Sequence, residues 1–370
     1  MIFCANPSAQ FKSYQAEIEE ATLKVMRGNY FVLGDEVSSL EREFADYIGT
    51  SASIGVANGT DALELALRAL DIGFGDEVIT VSHTAVATIA AIESTGADAV
   101  LVDVESEYYT LESNQLKEAF SDKTKAVIAV HLYGQPANLD AIQNFCTINK
   151  VFLIEDASQA HGAKYKGKRL GSIGDIGCFS CYPTKNLGAI GDAGLITTNN
   201  IGLEKKIRML REYGWVNRIS EYAGRNSRLD EIQAAVLRIK LKYLDLDNEK
   251  RRKLAHYYTT NLENSQIILP AVRANVAHVF HLFVIQVEKR QELLNYLLSN
   301  GIQAGIHYPM PVHLQPAYKD RIAIVSNMNI TEGLADKIIS LPMYPELTLL
   351  DADKIINNIK SFLNKGKGSA

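Results

Sequence analysis

The chain has 370 residues, 47% of them hydrophobic and 22% charged, and its 38 Lys and Arg against 43 Asp and Glu leave a net charge of −5. This composition excludes collagen-like, low-complexity and disordered classes, and without a basic run longer than Lys250-Arg251-Arg252-Lys253 it argues against nucleic acid as a partner. No window approaches the roughly 20 apolar residues of a membrane helix, and Met1 to Tyr14 holds one cation, Lys12, with no apolar stretch after it. Both features point to the cytoplasm, away from a membrane partner or a signal peptide.

The length suits two domains, or one large domain with an appendage. From residue 53 to 200, short β-rich runs alternate with helical patterns, the mark of βαβ units and a largely parallel sheet. The expected strands are Ser53–Ala57, Val78–Val81, Ala99–Val104, Ala126–Val130, Val151–Glu155, Ile176–Ser180 and Gly194–Thr198. Among them, Ala62–Leu70, Ala85–Ile92 and Leu139–Cys146 carry apolar residues at helical spacing. A long helical stretch follows Asp230 and runs to Tyr258, with an interruption expected around Asp245-Leu246-Asp247. Beyond it His278–Val287 reads as a strand, and Gln291–Ser299, Ala335–Ile339 and Lys354–Phe362 as helices. The reading is a large α/β domain over 1–245, a smaller α+β domain over 246–370, and a frayed tail at Lys365-Gly366-Lys367-Gly368.

Four cysteines (Cys4, Cys146, Cys178, Cys181) are too few for a disulfide framework. Cys178 and Cys181 have CxxC spacing, but they sit in an apolar run with no second pair or His cluster to complete a zinc site. They read as buried thiols, and no metal is expected.

Three segments carry chemistry. Asn58-Gly59-Thr60-Asp61 follows a strand and opens a helix, with Thr60 or Asp61 able to cap it; Gly59 permits close approach, and free first-turn N–H groups suit an anion such as phosphate. Asp156 ends a strand, where open α/β sheets bind ligands, as a ligand contact or a helix cap. Lys185 lies in a loop after Cys178–Pro183 whose apolar flanks predict burial, and a desolvated lysine is a Schiff-base amine. The glycines at 171, 174 and 177 and at 188, 191 and 194 do not spell a dinucleotide fingerprint, and no ATP-type phosphate loop is present.

Taken in order, "NGTDAL" at 58–63, "EDASQAHGA" at 155–163, "GSIGDIGCFSCYPTKNLGAIGDAG" at 171–194 and "GRNSRLDEIQAAVL" at 224–237 resemble the DegT/DnrJ/StrS family of sugar aminotransferases, within the aspartate-aminotransferase-like (fold type I) enzymes. The resemblance spans nearly the whole chain. It implies pyridoxal 5′-phosphate as cofactor, cycling through pyridoxamine phosphate, with Lys185 as the Schiff-base lysine and Asp156 as partner of the pyridine nitrogen. Ser180 and the backbone of Gly59, Thr60 and Asp61 would hold the phosphate, Gln159 would touch the ring or its hydroxyl, and His83 would stack on the ring or only cap a helix. Asn226 would reach the phosphate from the other subunit, implying a homodimer with shared sites.

A carboxylate about 4 Å from a pyridinium is worth roughly 4 kcal/mol at an effective dielectric near 20, enough to keep that nitrogen protonated. Arg228 would contact the substrate or pair with Asp230 or Glu231, and His161 reads as a satisfied core histidine. "SHTAVATIAAIE" at 82–93 and "IHYPMPVHLQPAY" at 306–318, with His307, Tyr308 and His313 as substrate contacts, are similar to members that aminate C3 of a nucleotide-linked sugar. The resemblance implies transfer from L-glutamate to a dTDP-3-oxo-6-deoxyhexose. A C4 enzyme acting on a dTDP- or UDP-4-keto sugar, and a non-catalytic regulator that binds the cofactor, are the alternatives.

Overall fold

The computed structural model describes residues 1–263, 266–325 and 327–365. Three helices precede the first strand: α1 (Pro7–Ser13), α2 (Gln15–Met26) and α3 (Asp35–Ile48). The central sheet then builds from β1 (Ala52–Val56), β2 (Glu77–Val81), β3 (Asp98–Val102), β4 (Thr124–Val130), β5 (Phe152–Asp156), β6 (Ile176–Ser180) and β7 (Gly194–Thr198). Helices α4 (Gly59–Ala69), α5 (Val86–Thr95) and α6 (Leu139–Asn149) alternate with these strands, and α7 (Ile201–Leu210) follows them. The seven strands and three inter-strand helices match those expected from apolar runs to within a few residues.

Later in the chain come the 32-residue α8 (Glu231–Leu262), β8 (Phe283–Gln286), α9 (Arg290–Ser299), β9 (Ala323–Ile324), α10 (Asn329–Lys337), β10 (Ile338–Leu341) and α11 (Leu349–Lys365). The large sheet has the order β1-β7-β6-β5-β4-β2-β3-β9, and β7 runs antiparallel to both neighbours while the other pairings are parallel. This is the α/β, mostly parallel architecture expected. The strands are buried almost throughout, as a sheet covered on both faces requires.

Three expectations are corrected. Ala335–Ile339 is not one helix: α10 ends at Lys337, and Ile338-Ile339-Ser340-Leu341, fully buried, pairs antiparallel with β8. β-branched residues that pack on both faces favour a strand there. The strand expected over His278–Val287 shrinks to Phe283–Gln286, because His278 to Leu282 turn across the large domain, with Val279 N–H bonded to the Gly134 carbonyl.

α8 also runs unbroken through 245–247. Distant partners absorb the two aspartates: Asp245 accepts from Tyr47 at 2.6 Å and Arg169 at 2.6 Å, and buried Asp247 accepts from Tyr14 at 2.9 Å. Residues on both sides of position 245 pack around the large sheet. Leu237, Leu241 and Leu244 of α8 join the sheet's core while Leu254, Tyr258 and Leu262 join a second core with Ile2. Yet β9 returns to the large sheet beside β3, and Val312, Met328 and Leu334 pack into the first core. Of the expected tail, residues 366–368 lie outside the described residues.

The start of α8 organises the start of α3. Glu231, 3% exposed, accepts from the backbone N–H of Gly34, Glu36 and Val37 at 2.7, 2.9 and 3.0 Å, satisfying the open donors of that helix end. Glu231→Ala leaves one buried and two half-buried donors unpaired, at a cost of about 2 kcal/mol. Hydrogen exchange at the Glu36 and Val37 amides should accelerate by about thirtyfold; unchanged exchange would show that water replaces the carboxylate.

Candidate active site

The carboxyl end of β5, the loop after β6 and the start of α4 converge on one cavity of about 480 Å³. Gly59, Thr60, Asp61, Asp156, Gln159, Ser180 and Lys185, seven of the expected residues, line it together. The helix cap is Asn58, not Thr60 or Asp61: its side chain accepts from the Asp61 N–H at 2.8 Å. That bond occupies the Asp61 N–H and leaves those of Gly59 and Thr60, the first two helical residues, without intrahelical partners. The Asp61 carboxylate faces the other way, into an ion pair with Arg225, which also holds Glu64. A Cβ built on Gly59 would lie 2.5 Å from the Ser180 Cβ, so only glycine lets the cradle and the Ser180 hydroxyl sit side by side.

Asp156 is 5% exposed, and its carboxylate is oriented from two sides: Thr88 donates to Oδ2 at 3.0 Å and the Ser158 N–H to Oδ1 at 3.2 Å. Thr84, 2.9 Å from the Thr88 hydroxyl, extends this chain to the cavity wall. Lys185 is half-buried, and burial around its amine lowers its pKa to about 8, against the opposing pull of Asp156 and Cys181. Gln159 is fixed at both ends, accepting from the Tyr133 N–H at 2.8 Å and donating to the Tyr308 hydroxyl at 3.2 Å.

The other expected residues lie off the cavity wall. His83, 2% exposed, sits behind Thr84 with Nε2 2.8 Å from the Tyr133 hydroxyl, and burial lowers its pKa to about 4. It does not cap α5, whose cap residue is Ala85. His307 binds Ser340 through Nδ1 at 2.8 Å, and burial, aided by Lys185, lowers its pKa to about 4. His313 is engaged inside the chain, with Nδ1 2.7 Å from Ser82 and Nε2 3.2 Å from Glu332.

Arg228 faces neither Asp230 nor Glu231. It lies 3.9 Å from Glu212 and over the Tyr213 ring, because Glu231 is committed to α3. His161 is buried, and among the described residues no hydrogen bond of good geometry reaches either ring nitrogen, although the Ser180 backbone lies near enough to favour the charged ring. Burial first, then Lys185, lowers its pKa to about 3. Asn226 is exposed, while its neighbours are tied to their own subunit, Arg225 to Asp61 and Glu64 and Ser227 to the Ala57 N–H at 3.2 Å.

Sequence reasoning missed Thr88 and Tyr133, whose partners are far along the chain, and Thr84, which joins them through Thr88. Asn58 was legible, standing three residues before Asp61 at the end of a strand. Cys146, Cys178 and Cys181 are buried and unpaired, Cys4 is half-buried and unpaired, and burial raises the thiol pKa of Cys181 to about 12. Among the described residues no cluster of His, Cys, Asp or Glu suits a metal ion, and no helix is long and apolar enough to cross a membrane.

A phosphate cradle, a buried carboxylate and a desolvated lysine in one cavity fit a phosphorylated pyridinium aldehyde. Residues 12–360 match the model of the DegT/DnrJ/EryC1/StrS aminotransferase family. The chain belongs to this family. It is an aminotransferase, and the family's cofactor is pyridoxal phosphate. The aminotransferase is 44% identical to the dTDP-3-amino-3,6-dideoxy-alpha-D-galactopyranose transaminase of Aneurinibacillus thermoaerophilus, over 94% of this chain and 96% of that one. It is 40% identical to the dTDP-3-amino-3,4,6-trideoxy-alpha-D-glucose transaminase of Streptomyces venezuelae, over 96% and 95% of the two chains. The crystal structure of S. venezuelae DesV superposes with a TM-score of 0.95 at 40% identity, covering 98% of both chains.

The lowered pKa of Lys185 is directly measurable. In the aminotransferase freed of cofactor, reductive methylation read by peptide mass should rise with an apparent pKa near 8 at Lys185. Asp156→Asn should move that midpoint lower, since the carboxylate favours the ammonium form. A midpoint at the ordinary lysine value of 10.5 would mean a solvated amine.

Proposed function

We propose that the enzyme moves an amino group from L-glutamate to a dTDP-3-oxo-6-deoxyhexose, giving a dTDP-3-amino-3,6-dideoxyhexose, as a cytoplasmic homodimer with shared active sites. The observation that carries the chemistry is the meeting of Lys185, Asp156 and the open start of α4 in one cavity. The names of the two relatives, both transaminases of dTDP-3-amino sugars, support C3 over C4.

Pyridoxal phosphate, when bound, supplies an electron sink and a carbon that carries the amino group between two half-reactions. This chain's residues do the rest. The Gly59 and Thr60 N–H groups and the Ser180 hydroxyl hold the phosphate at the positive end of α4. Asp156, immobilised by Thr88 and Ser158, holds a proton on the ring nitrogen by charge. The Lys185 Nζ, with its pKa lowered to about 8, would carry a proton from the donor's carbon to the cofactor's carbonyl carbon in one half-reaction and from that carbon to the acceptor's in the other. Gln159, held at both ends, lines the cavity where the cofactor ring would sit. Of the outer residues, Tyr308 reaches the site through Gln159 and Arg228 lies in the exposed loop with Asn226, where a substrate diphosphate or a second subunit would meet them.

Two experiments test this reading. A panel of dTDP-3-keto and dTDP-4-keto sugars is offered with glutamate, and the aminated carbon is read by NMR. Amination at C3 is expected; amination only at C4, or none with cofactor binding intact, would favour the other enzyme or a regulator. For the dimer, inactive Lys185→Ala and Asn226→Asp proteins are mixed under subunit exchange. The Asp change sets a negative charge against the phosphate, and a hydrogen bond to such a charged group is worth roughly 1.5–3 kcal/mol. Recovered activity is expected, from heterodimers with one intact site; no recovery after confirmed exchange places both residues in one chain's site.

A further inference from the structure

The residue after the reactive lysine is itself almost wholly enclosed, at 2% exposure, and nothing in the chemistry above uses it. The Asn186 Nδ2 donates to Asn248 Oδ1 at 2.8 Å and to the Val279 carbonyl at 3.1 Å. Its Oδ1 lies 3.2 Å from His281 Nδ1. Since an amide oxygen only accepts, His281 carries its proton on Nδ1, and burial keeps this ring neutral by pushing its pKa well below 6.5. Asn248, 1% exposed on α8, donates in turn to the His161 carbonyl at 2.9 Å.

Three segments remote in sequence therefore meet on two side-chain amides: the lysine loop, the loop that follows Asp156, and residues 279–281 on the way to β8. The surroundings leave little slack. A Cβ on Gly162 would lie 2.7 Å from the Asn248 Nδ2, and one on Gly134 would lie 3.2 Å from the His281 N. One turn along α8, Arg251 holds the carbonyls of Phe280 and Met343 at 3.2 and 2.9 Å, so the third segment is itself clamped.

A lysine stem has four rotatable bonds, so where its amine dwells depends on how firmly its backbone is seated. Within the loop the Lys185 N–H closes on the Tyr182 carbonyl at 2.8 Å, and the Lys240 amine holds the Gly188 carbonyl at 2.7 Å. Asp156 pairs with Cys178 in the sheet and the Ala157 N–H bonds the Cys178 carbonyl at 2.8 Å, which fixes the foot of the loop. Past Ser180, at the lysine itself, the Asn186 amide ties the loop to the segment after Asp156, through Asn248 and His161.

We infer that Asn186 and Asn248 are positioning residues: their paired amides lock the Lys185 loop to the loop after Asp156, setting the amine and the carboxylate at a fixed separation. This rests on Lys185 being the amine that carries the cofactor.

The test uses holoenzyme of Asn186→Ala, Asn248→Ala and the double variant, with Asn200→Ala as control. Asn200 caps α7 through the N–H groups of Gly202 and Leu203, outside the cavity, so its loss lowers stability without touching the loop. Each single variant should lose about tenfold or more in kcat with little change in KM for glutamate, and the pH midpoint of the bound cofactor's visible absorption should move. Both amides serve one link, so the double variant should fall no further than the weaker single. The control should show a lower Tm with unchanged kcat and midpoint. If alanine prevents folding, the serine variants are read by the same criteria. Multiplying losses in the double variant, or a lowered Tm with kcat and midpoint unchanged as in the control, overturn the inference. Borohydride fixation with peptide mapping separates the two readings: label on a lysine other than Lys185 removes the assignment of Lys185, whereas label on Lys185 with wild-type kinetics and midpoint removes only the positioning role.

Discussion

The site depends on a carboxylate that never meets the substrate. Glu155 is fully buried at the end of β5, and it accepts hydrogen bonds from His131 at 3.2 Å and from the backbone N–H groups of Gly171, Ile173 and Gly174 at 2.9, 2.8 and 2.8 Å. Burial raises the pKa of such a group, yet these donors hold it below the ordinary glutamate value. A buried charge stripped of partners is strongly destabilising, on the order of 3–5 kcal/mol, so the 171–174 loop has one acceptable place. Adjacent strand residues face opposite sides of a sheet. Fixing Glu155 on one face therefore fixes Asp156 on the other, and the loop it gathers leads straight into β6 and the lysine.

α8 plays the complementary part from outside the sheet. Its first residue, Glu231, seats α3; Lys240 and Asn248 reach the lysine loop and its neighbour; Arg251 clamps the approach to β8. These contacts fall on one long helix whose side chains enter both cores, so the two cores and the lysine loop share one rigid element.

The sheet was legible because a doubly covered parallel sheet writes its strands as short apolar runs between turns, and the cradle, Asp156 and Lys185 were legible because each sits at a strand end or helix start. Elements whose form depends on distant partners were not. Asp245 and Asp247 look like a helix break until Tyr47, Arg169 and Tyr14 supply their donors. Ile338 to Leu341 shows helical spacing from Ala335 onward until β8 offers an antiparallel edge. Arg228 was read against its neighbours on the chain, whereas Glu212, sixteen residues back, is the carboxylate it meets. Thr88 and Asn248 belong to the same class: an unremarkable polar residue on a helix gains its meaning only from the carboxylate or amide across from it.

The histidines near the lysine narrow what can titrate there. His161, His281 and His307 all have pKa values pushed down, by burial first and by the Lys185 charge next. At neutral pH they are uncharged, and His281 in that state is a fixed donor to Asn186. The reacting proton near neutrality therefore resides on the lysine amine. Lys240 shares the lowered value of about 8, but it spends its protons on the Gln10 side chain and the Gly188 carbonyl. A neutral Lys240 amine keeps two N–H donors, enough for both acceptors, so the loop stays held whichever form it takes, whereas loss of the proton makes Lys185 a base.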